Sequence, residues 1–132
     1  WHFDFGSVKL VTAVHSSVLP DGTYGGNPAG FVIESAEGNF YYSGDTALTM
    51  DMKLIPLTCN RLDVALLPIG NNFTMGVDDA ITASDFVECS KIIGLHYDTF
   101  GYIKINHEEA VAKFKTKNKE LSLLNIGSSI QI

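Results

Sequence analysis

The chain has 132 residues, a length that suits one domain. It is 45% hydrophobic and 18% charged, which excludes a disordered or low-complexity protein. The net charge of −6 provides no positive field for phosphates, so nucleic acid is not expected as a partner. A mean hydropathy of +0.13 is high for so small a domain. It indicates that one face is covered by something outside this sequence.

The sequence also indicates a cellular compartment and excludes one class of partner. Its apolar runs are shorter than the roughly 18 residues that span a membrane, so no membrane partner is expected. Cys59 and Cys89 lack CxxC spacing, which favours free thiols and a cytoplasmic protein. Lysines at 113, 115, 117 and 119 are interpreted as a solvated helix end. Since the sequence begins at Trp1 and not at Met, we expect a piece of a longer protein.

The first half of the chain is predicted to be rich in strands and loops. Residues 7–14 are β-prone, and residues 18–30 contain too many Gly and Pro residues for regular structure. Residues 31–35 and 39–43 are spaced as a hairpin. A short helix is predicted over residues 49–59, kinked or ended by Pro56.

In the second half, strands alternate with helices. The predicted strands are 62–69, 91–95, 121–126 and 129–132, and the predicted helices are 78–90 and 107–117. Asn106 is the expected N-cap of the second helix. The alternation predicts an α/β fold.

Three predicted strands are each followed by a side chain that can bind a metal: His15, Asp45 and His96. Ligand sites in α/β sheets form beyond the carboxyl ends of strands, so these residues can converge although they lie far apart in sequence. Imidazole and carboxylate groups bind zinc and similar divalent ions. Hydrogen-bonded structural roles are the alternative for such residues.

Five segments around these residues resemble the metallo-β-lactamase-fold hydrolases, and in particular a branch of small metal-dependent hydrolases. They are Val-Thr-Ala-Val-His-Ser-Ser at 11–17, Tyr-Gly-Gly-Asn-Pro-Ala-Gly at 24–30, Tyr-Ser-Gly-Asp-Thr at 42–46, Leu-Leu-Pro-Ile-Gly-Asn-Asn-Phe-Thr-Met-Gly at 66–76 and Leu-His-Tyr at 95–97. The resemblance covers nearly the whole chain.

The resemblance implies an αββα sandwich in which two halves, each a sheet backed by helices, share a dinuclear metal site. Residues 1–132 correspond to the C-terminal half, a mixed sheet with flanking helices, and the N-terminal half is absent. By resemblance, His15 binds the first metal, Asp45 bridges both metals and His96 binds the second. The family's His-x-His-x-Asp-His motif does not occur here, and His2 is interpreted as a loop residue.

The implied activity is hydrolysis of an ester, amide or phosphoester in a small molecule by metal-activated water. The implied cofactor is a divalent metal, two zinc ions with manganese or iron as alternatives. Asn27, Thr74 and Tyr97 are candidate substrate contacts, whereas Asn71 replaces an expected acidic residue. No catalytic residue can be assigned to this half alone, which is expected to be inactive. Its expected partner is the missing N-terminal half or a second copy. The alternative is a non-catalytic truncated domain that binds a partner half or itself.

Overall fold

A computed structural model describes residues 1–131, which form one seven-stranded mixed sheet with helices packed against it. The strands are β1 (His2–Phe3), β2 (Gly6–Thr12), β3 (Ala29–Ser35), β4 (Asn39–Tyr42), β5 (Val64–Pro68), β6 (Lys91–Leu95) and β7 (Glu120–Ser122). Their spatial order follows their order in the chain. The predicted α/β fold is confirmed.

The strand directions bring several strand ends to one edge of the sheet. Strands β1 to β4 pair antiparallel, and β4 to β7 pair parallel. Since β2 and β4 are both antiparallel to β3, they run in the same direction, and β5 and β6 share it. The carboxyl ends of β2, β4, β5 and β6 therefore lie along one edge, which we call the carboxyl edge.

Three α-helices lie within the described residues. They are α1 (Ile55–Thr58), α2 (Val77–Phe86) and α3 (His107–Thr116), with short 3-10 helices at Met50–Leu54 and Gly101–Ile103. Pro56 lies at the start of α1, where its missing N–H is tolerated. The Asn106 side chain accepts a hydrogen bond of 3.2 Å from the Glu109 amide and caps α3 as predicted. No helix in residues 1–131 is long and apolar enough to cross a membrane.

One face of the sheet packs against the helices. Val32, Tyr41, Ala65 and Ile92 occupy one register row and are buried together with Met52, Ile55, Ala80 and Phe114 from the helical segments. Side chains alternate between faces along a strand, so their sequence neighbours point the other way. This face forms the core.

The other face of the sheet is apolar and is open over β2, β3 and β4, whereas Ile93 on β6 is buried. One register row on it consists of Leu10, Phe31, Tyr42, Leu66 and Ile93. Leu10, Phe31 and Tyr42 are 66%, 37% and 40% exposed. We call this row, with the strand surface around it, the open face. Exposed apolar residues on this face agree with the high mean hydropathy.

The structure corrects some predicted boundaries. Residues 129–131 form no strand, and Ile132 lies outside the described residues. The strand predicted over 121–126 is shortened to β7, because the pairing with β6 ends at Ser122. His2, interpreted as a loop residue, pairs with Ser7 in β1. The remaining predicted strands and helices are confirmed with ends shifted by a few residues, as fraying ends often are.

Candidate metal site

The three predicted metal ligands lie on loops that leave the carboxyl edge. His96 directly follows β6, whereas His15 and Asp45 each lie three residues beyond the end of β2 and β4. These three strands run in the same direction, so their loops leave the sheet on the same side. The convergence expected from the strand pattern therefore has a topological basis.

The side chains of Asp45 and His96 are neighbours, although Asp45 follows β4, His96 follows β6 and β5 lies between these strands. Oδ2 of Asp45 lies 3.7 Å from Nε2 of His96, longer than an ordinary hydrogen bond of about 2.7 to 3.2 Å. Their side chains are 49% and 25% exposed. His96 has a left-handed backbone with φ of 52°, which turns the chain sharply out of β6. The two groups face each other without a direct hydrogen bond.

The second nitrogen of the His96 ring lacks a partner. Nδ1 is buried and forms no hydrogen bond within the described part of the chain. Leaving a buried polar atom unpaired costs about 1 to 3 kcal/mol. The ring is therefore in an environment that favours an additional ligand or polar group.

His15 presents one free ring nitrogen. Its Nδ1 lies 3.0 Å from the carbonyl oxygen of Ser16, and a carbonyl only accepts, so Nδ1 carries the proton in this contact. In the neutral ring, Nε2 is then the nitrogen with the lone pair. An imidazole held at one nitrogen by a carbonyl is the usual arrangement of a metal-binding histidine.

His15 and His96 border the same open concavity, which has a volume of about 500 Å³. The residues around it are Val14, His15, Ser16, Asn72, Phe73, His96 and Phe100. Phe73 and Phe100 were not singled out from the sequence. Only the folded chain brings them beside the two histidines.

Thr46 ties the loops of the site together. Its buried hydroxyl accepts a hydrogen bond of 2.9 Å from the Val14 amide and donates one of 2.8 Å to the Ala47 carbonyl. The Ala47 amide donates back to the Val14 carbonyl at 2.9 Å, and the Met75 amide donates to the Thr46 carbonyl at 3.0 Å. Thr46 thus connects the segment before His15 to the segment after Asp45.

Two glycines allow close backbone approaches beneath the site. A Cβ at Gly70 would lie 2.1 Å from the His96 carbonyl oxygen, and a Cβ at Gly44 would lie 2.6 Å from the Ala29 carbonyl oxygen. Gly44 also has φ of 64°. Any side chain at either position would displace the loop that carries Asp45 or His96.

The donor set fits a divalent metal in chemistry but is incomplete in number. Two ligand atoms bound to one ion at about 2.1 Å each lie roughly 3.4 Å apart in tetrahedral geometry, near the 3.7 Å between Asp45 and His96. Within residues 1–131, no group of three or more His, Cys, Asp or Glu side chains is close enough to hold an ion. His15 shares the concavity without joining the Asp45–His96 pair in such a cluster.

The three candidate substrate contacts lie outside the residues that border the concavity. Asn27 is exposed and accepts a hydrogen bond from the Tyr24 hydroxyl. Thr74 is half-buried next to Met75. Tyr97 packs against the core and contacts the His107 ring edge-on, and burial, with a smaller contribution from Asp98, raises the pKa of Tyr97.

The sequence matches a known family over most of its length. Residues 2–97 match the model of the β-lactamase superfamily domain. A UPF0173 metal-dependent hydrolase of Flavobacterium johnsoniae is 67% identical over 132 residues, and one of Methylacidiphilum infernorum is 52% identical over 128 residues. The matches cover 100% and 97% of this chain, but only 58% and 56% of those relatives. The chain therefore spans little more than half the length of these curated relatives.

Solved structures agree with this assignment. Igni18, a metallo hydrolase of Ignicoccus hospitalis, superposes with a TM-score of 0.79 at 29% identity, over 93% of this chain and 51% of its own. The metallo-β-lactamase fold protein YhfI of Bacillus subtilis has a TM-score of 0.63 at 14% identity, over 86% of this chain and 44% of its own, and shows the fold alone. The chain belongs to the β-lactamase superfamily domain family and has the metallo-β-lactamase fold of metal-dependent hydrolases.

Proposed function

We propose that this chain is the C-terminal half of a metal-dependent hydrolase and supplies His15, Asp45 and His96 to its metal centre. The observation that carries the proposal is the 3.7 Å approach of Asp45 to His96 at the carboxyl edge. The contact of His15 Nδ1 with the Ser16 carbonyl, which leaves Nε2 without a partner in that contact, supports it. The names of the relatives, metal-dependent hydrolases, agree with it.

The proposed roles follow from the atoms that each residue presents. Asp45 has two carboxylate oxygens and is the residue suited to bridge two ions, with His15 and His96 on either side. A bound divalent ion would supply Lewis acidity and an activated water at neutral pH. Thr46 holds the loops of His15 and Asp45 at a fixed separation through its buried hydroxyl.

The remaining ligands are proposed to come from outside this chain. Zinc binds three or four protein ligands, and the described residues bring only two donors into close proximity. We place the others in an N-terminal half that packs on this one, with a second copy of the chain as the alternative source. Two zinc ions are the proposed cofactor, with manganese or iron as alternatives.

The proposed substrate is a small molecule with an ester, amide or phosphoester bond, and Asn27, Thr74 and Tyr97 remain proposed contacts to it. A cytoplasmic location is part of the proposal. It is supported by Cys59 and Cys89, which are both free thiols, the latter buried.

Metal content measures the proposed ligand roles directly. In the full-length gene product, His96→Ala and Asp45→Asn should each lower the bound metal, measured by elemental mass spectrometry, by at least one half. His15→Ala should lower it as well. Each change removes one ligand atom, and a zinc ion has only three or four protein ligands.

His2→Ala is the matched control, because His2 is an exposed histidine in β1. It should retain the metal content of the unmodified protein. Unchanged metal in all three ligand variants would refute the proposed centre. Metal loss in His2→Ala as well would indicate non-specific binding.

A further inference from the structure

A second concavity lies on the face of the sheet that packs against the helices. Its walls are β2 on one side and the 3-10 helix Met50–Leu54 with α1 on the other, and Tyr41 of β4 borders it from the sheet. It shares no residue with the concavity beside the candidate metal site. Its volume is about 230 Å³. Since an engineered apolar cavity of about 150 Å³ binds benzene and small-molecule sites begin at about 300 Å³, a molecule slightly larger than benzene fits it.

The hydroxyl of Tyr41 is buried beside this concavity and is unpaired. Tyr41 is 0% exposed, and its hydroxyl forms no hydrogen bond within residues 1–131. Burial raises the pKa of this phenol, so it keeps its proton and can donate it to an acceptor. Nearly all buried polar groups in proteins have a hydrogen-bond partner, because an unpaired one is unfavourable. A ligand in the adjoining concavity can supply the missing partner.

The side chains that border the concavity together with Tyr41 are mainly apolar, and one of them is adaptable. Val11 on β2 and Ile55 on α1 belong to opposite walls and pack against the core. Met52, on the same wall as Ile55, is 1% exposed. Methionine is unbranched and flexible, so it makes room for a ligand more readily than a branched side chain does. A movement of Met52 would give a ligand access to the Tyr41 hydroxyl.

Two charged residues of opposite sign border the concavity, Lys9 and Asp51. The Lys9 ammonium donates a hydrogen bond of 3.2 Å to the Thr58 carbonyl, which ties β2 to the end of α1. Asp51 is exposed in the first turn of the 3-10 helix. The two charges offset each other, and an ionised ligand is costly to bury against apolar walls. The concavity therefore suits a neutral molecule.

We infer that this concavity binds a small neutral molecule with an apolar body about the size of benzene and one oxygen atom that accepts a hydrogen bond from the Tyr41 hydroxyl. Small aromatic alcohols and ketones belong to this class. The inference goes beyond the proposed function and does not depend on the metal centre. The proposed N-terminal half would pack on the open face, whereas this concavity lies on the opposite face of the sheet.

Two probes of nearly the same shape test the inference on the full-length gene product. Benzyl alcohol carries the oxygen atom, and ethylbenzene has a methyl group in its place. The dissociation constant of each probe is measured by titration of the backbone amide signals in NMR spectra. Both probes should shift the signals of β2 and of residues 50–58, which form the walls of the concavity.

Tyr41→Phe removes the hydroxyl from the protein side of the proposed hydrogen bond. It should reduce the preference for benzyl alcohol over ethylbenzene, expressed as the ratio of their dissociation constants, by about fivefold, the contribution of one hydrogen bond. Without a probe its unfolding temperature should not fall, because the hydroxyl that it lacks is unpaired. Tyr42→Phe is the matched control, since Tyr42 lies on the open face and does not border the concavity. It should leave the ratio unchanged.

Three outcomes would overturn the inference. The first is that neither probe, at millimolar concentration, shifts the signals of the walls, as expected if another part of the full-length gene product fills the concavity. The second is that Tyr41→Phe leaves the ratio unchanged. The third is a lower unfolding temperature of Tyr41→Phe without a probe, which would show that the hydroxyl already has a partner. The proposed function fails separately, if metal content does not depend on His15, Asp45 and His96.

Discussion

At the scale of single residues, Thr46 connects the loops that carry two of the three proposed metal ligands. Its side chain is buried, and the hydroxyl both accepts from the Val14 amide and donates to the Ala47 carbonyl. The hydrogen bond between the Val14 amide and this hydroxyl is part-buried, although Val14 itself is 50% exposed. Together with the hydrogen bond from the Ala47 amide to the Val14 carbonyl, the hydroxyl connects the loops that carry His15 and Asp45.

Thr46→Val removes this hydroxyl while keeping the shape of the side chain. We expect a loss of about 1 to 2 kcal/mol in the free energy of unfolding, because the Val14 amide and the Ala47 carbonyl each lose a hydrogen-bond partner. Metal affinity should fall as well, since one of the two hydrogen bonds that connect the loops of His15 and Asp45 is lost. Urea unfolding and a metal titration of the full-length gene product measure the two effects.

Thr46→Ser keeps the hydroxyl and removes the methyl group, so it distinguishes the effects of these two groups. It retains the hydrogen bonds and should lose only roughly 1 kcal/mol, the contribution of one buried methyl group. Its metal affinity should match that of the unmodified protein. Equal metal affinity in the valine and serine variants would contradict the positioning role.

At the scale of elements, the carboxyl ends of β5 and β6 are joined by a close approach of backbone to backbone. The Ile69 amide donates to the Leu95 carbonyl at 3.0 Å, which extends the pairing of the two strands by one residue. Gly70 then passes the His96 carbonyl so closely that a Cβ would lie 2.1 Å from its oxygen. The turn that presents the His96 imidazole is thus shaped by a glycine that follows the neighbouring strand.

Gly70→Ala should destabilise the protein by about 2 kcal/mol or more, because backbone atoms must move to admit the methyl group. Gly101→Ala is the matched control, since a Cβ there meets no atom within 4 Å and its φ is not positive. Thermal unfolding of both variants of the full-length gene product gives the comparison. Similar unfolding temperatures for the two would show that the turn at His96 can open at little cost.

At the scale of the whole molecule, the open face is the feature that the isolated chain does not explain. A sheet with one face on helices needs a polar second face or a covering partner. Here the second face has a row of large apolar residues across five strands, of which Leu10 is 66% exposed. An N-terminal half packed on this face would cover it and bring further ligands to the carboxyl edge.

Substitution of Leu10 by Ser measures whether this face is covered in the full-length gene product. If it is, Leu10→Ser should cost about 2 kcal/mol in the free energy of unfolding, the usual contribution of a buried leucine. Leu57→Ser is the control, because Leu57 lies on α1 and is 78% exposed. An equally small effect of both substitutions would contradict the proposed covering.

Much of the fold could be predicted because its patterns are local. The strand at 91–95 and the helix capped by Asn106 follow from apolar spacing and a capping side chain, and both match the structure. Residues 129–131 were wrongly predicted as strand, because β-prone residues form a strand only beside a pairing partner. His2 was wrongly predicted as a loop residue, because it belongs to a strand only through its pairing with Ser7 of β2.

The same distinction, between local sequence patterns and long-range contacts, applies to the candidate site. The sequence by itself determined which metal-capable side chains follow strands, because residue type and strand period are local properties. Only the tertiary structure decided that Asp45 faces His96 at 3.7 Å while His15 lies across a concavity beside Phe73 and Phe100. These distances depend on strand order and direction and on close packing at Thr46 and Gly70, which arise from contacts between residues far apart in the chain.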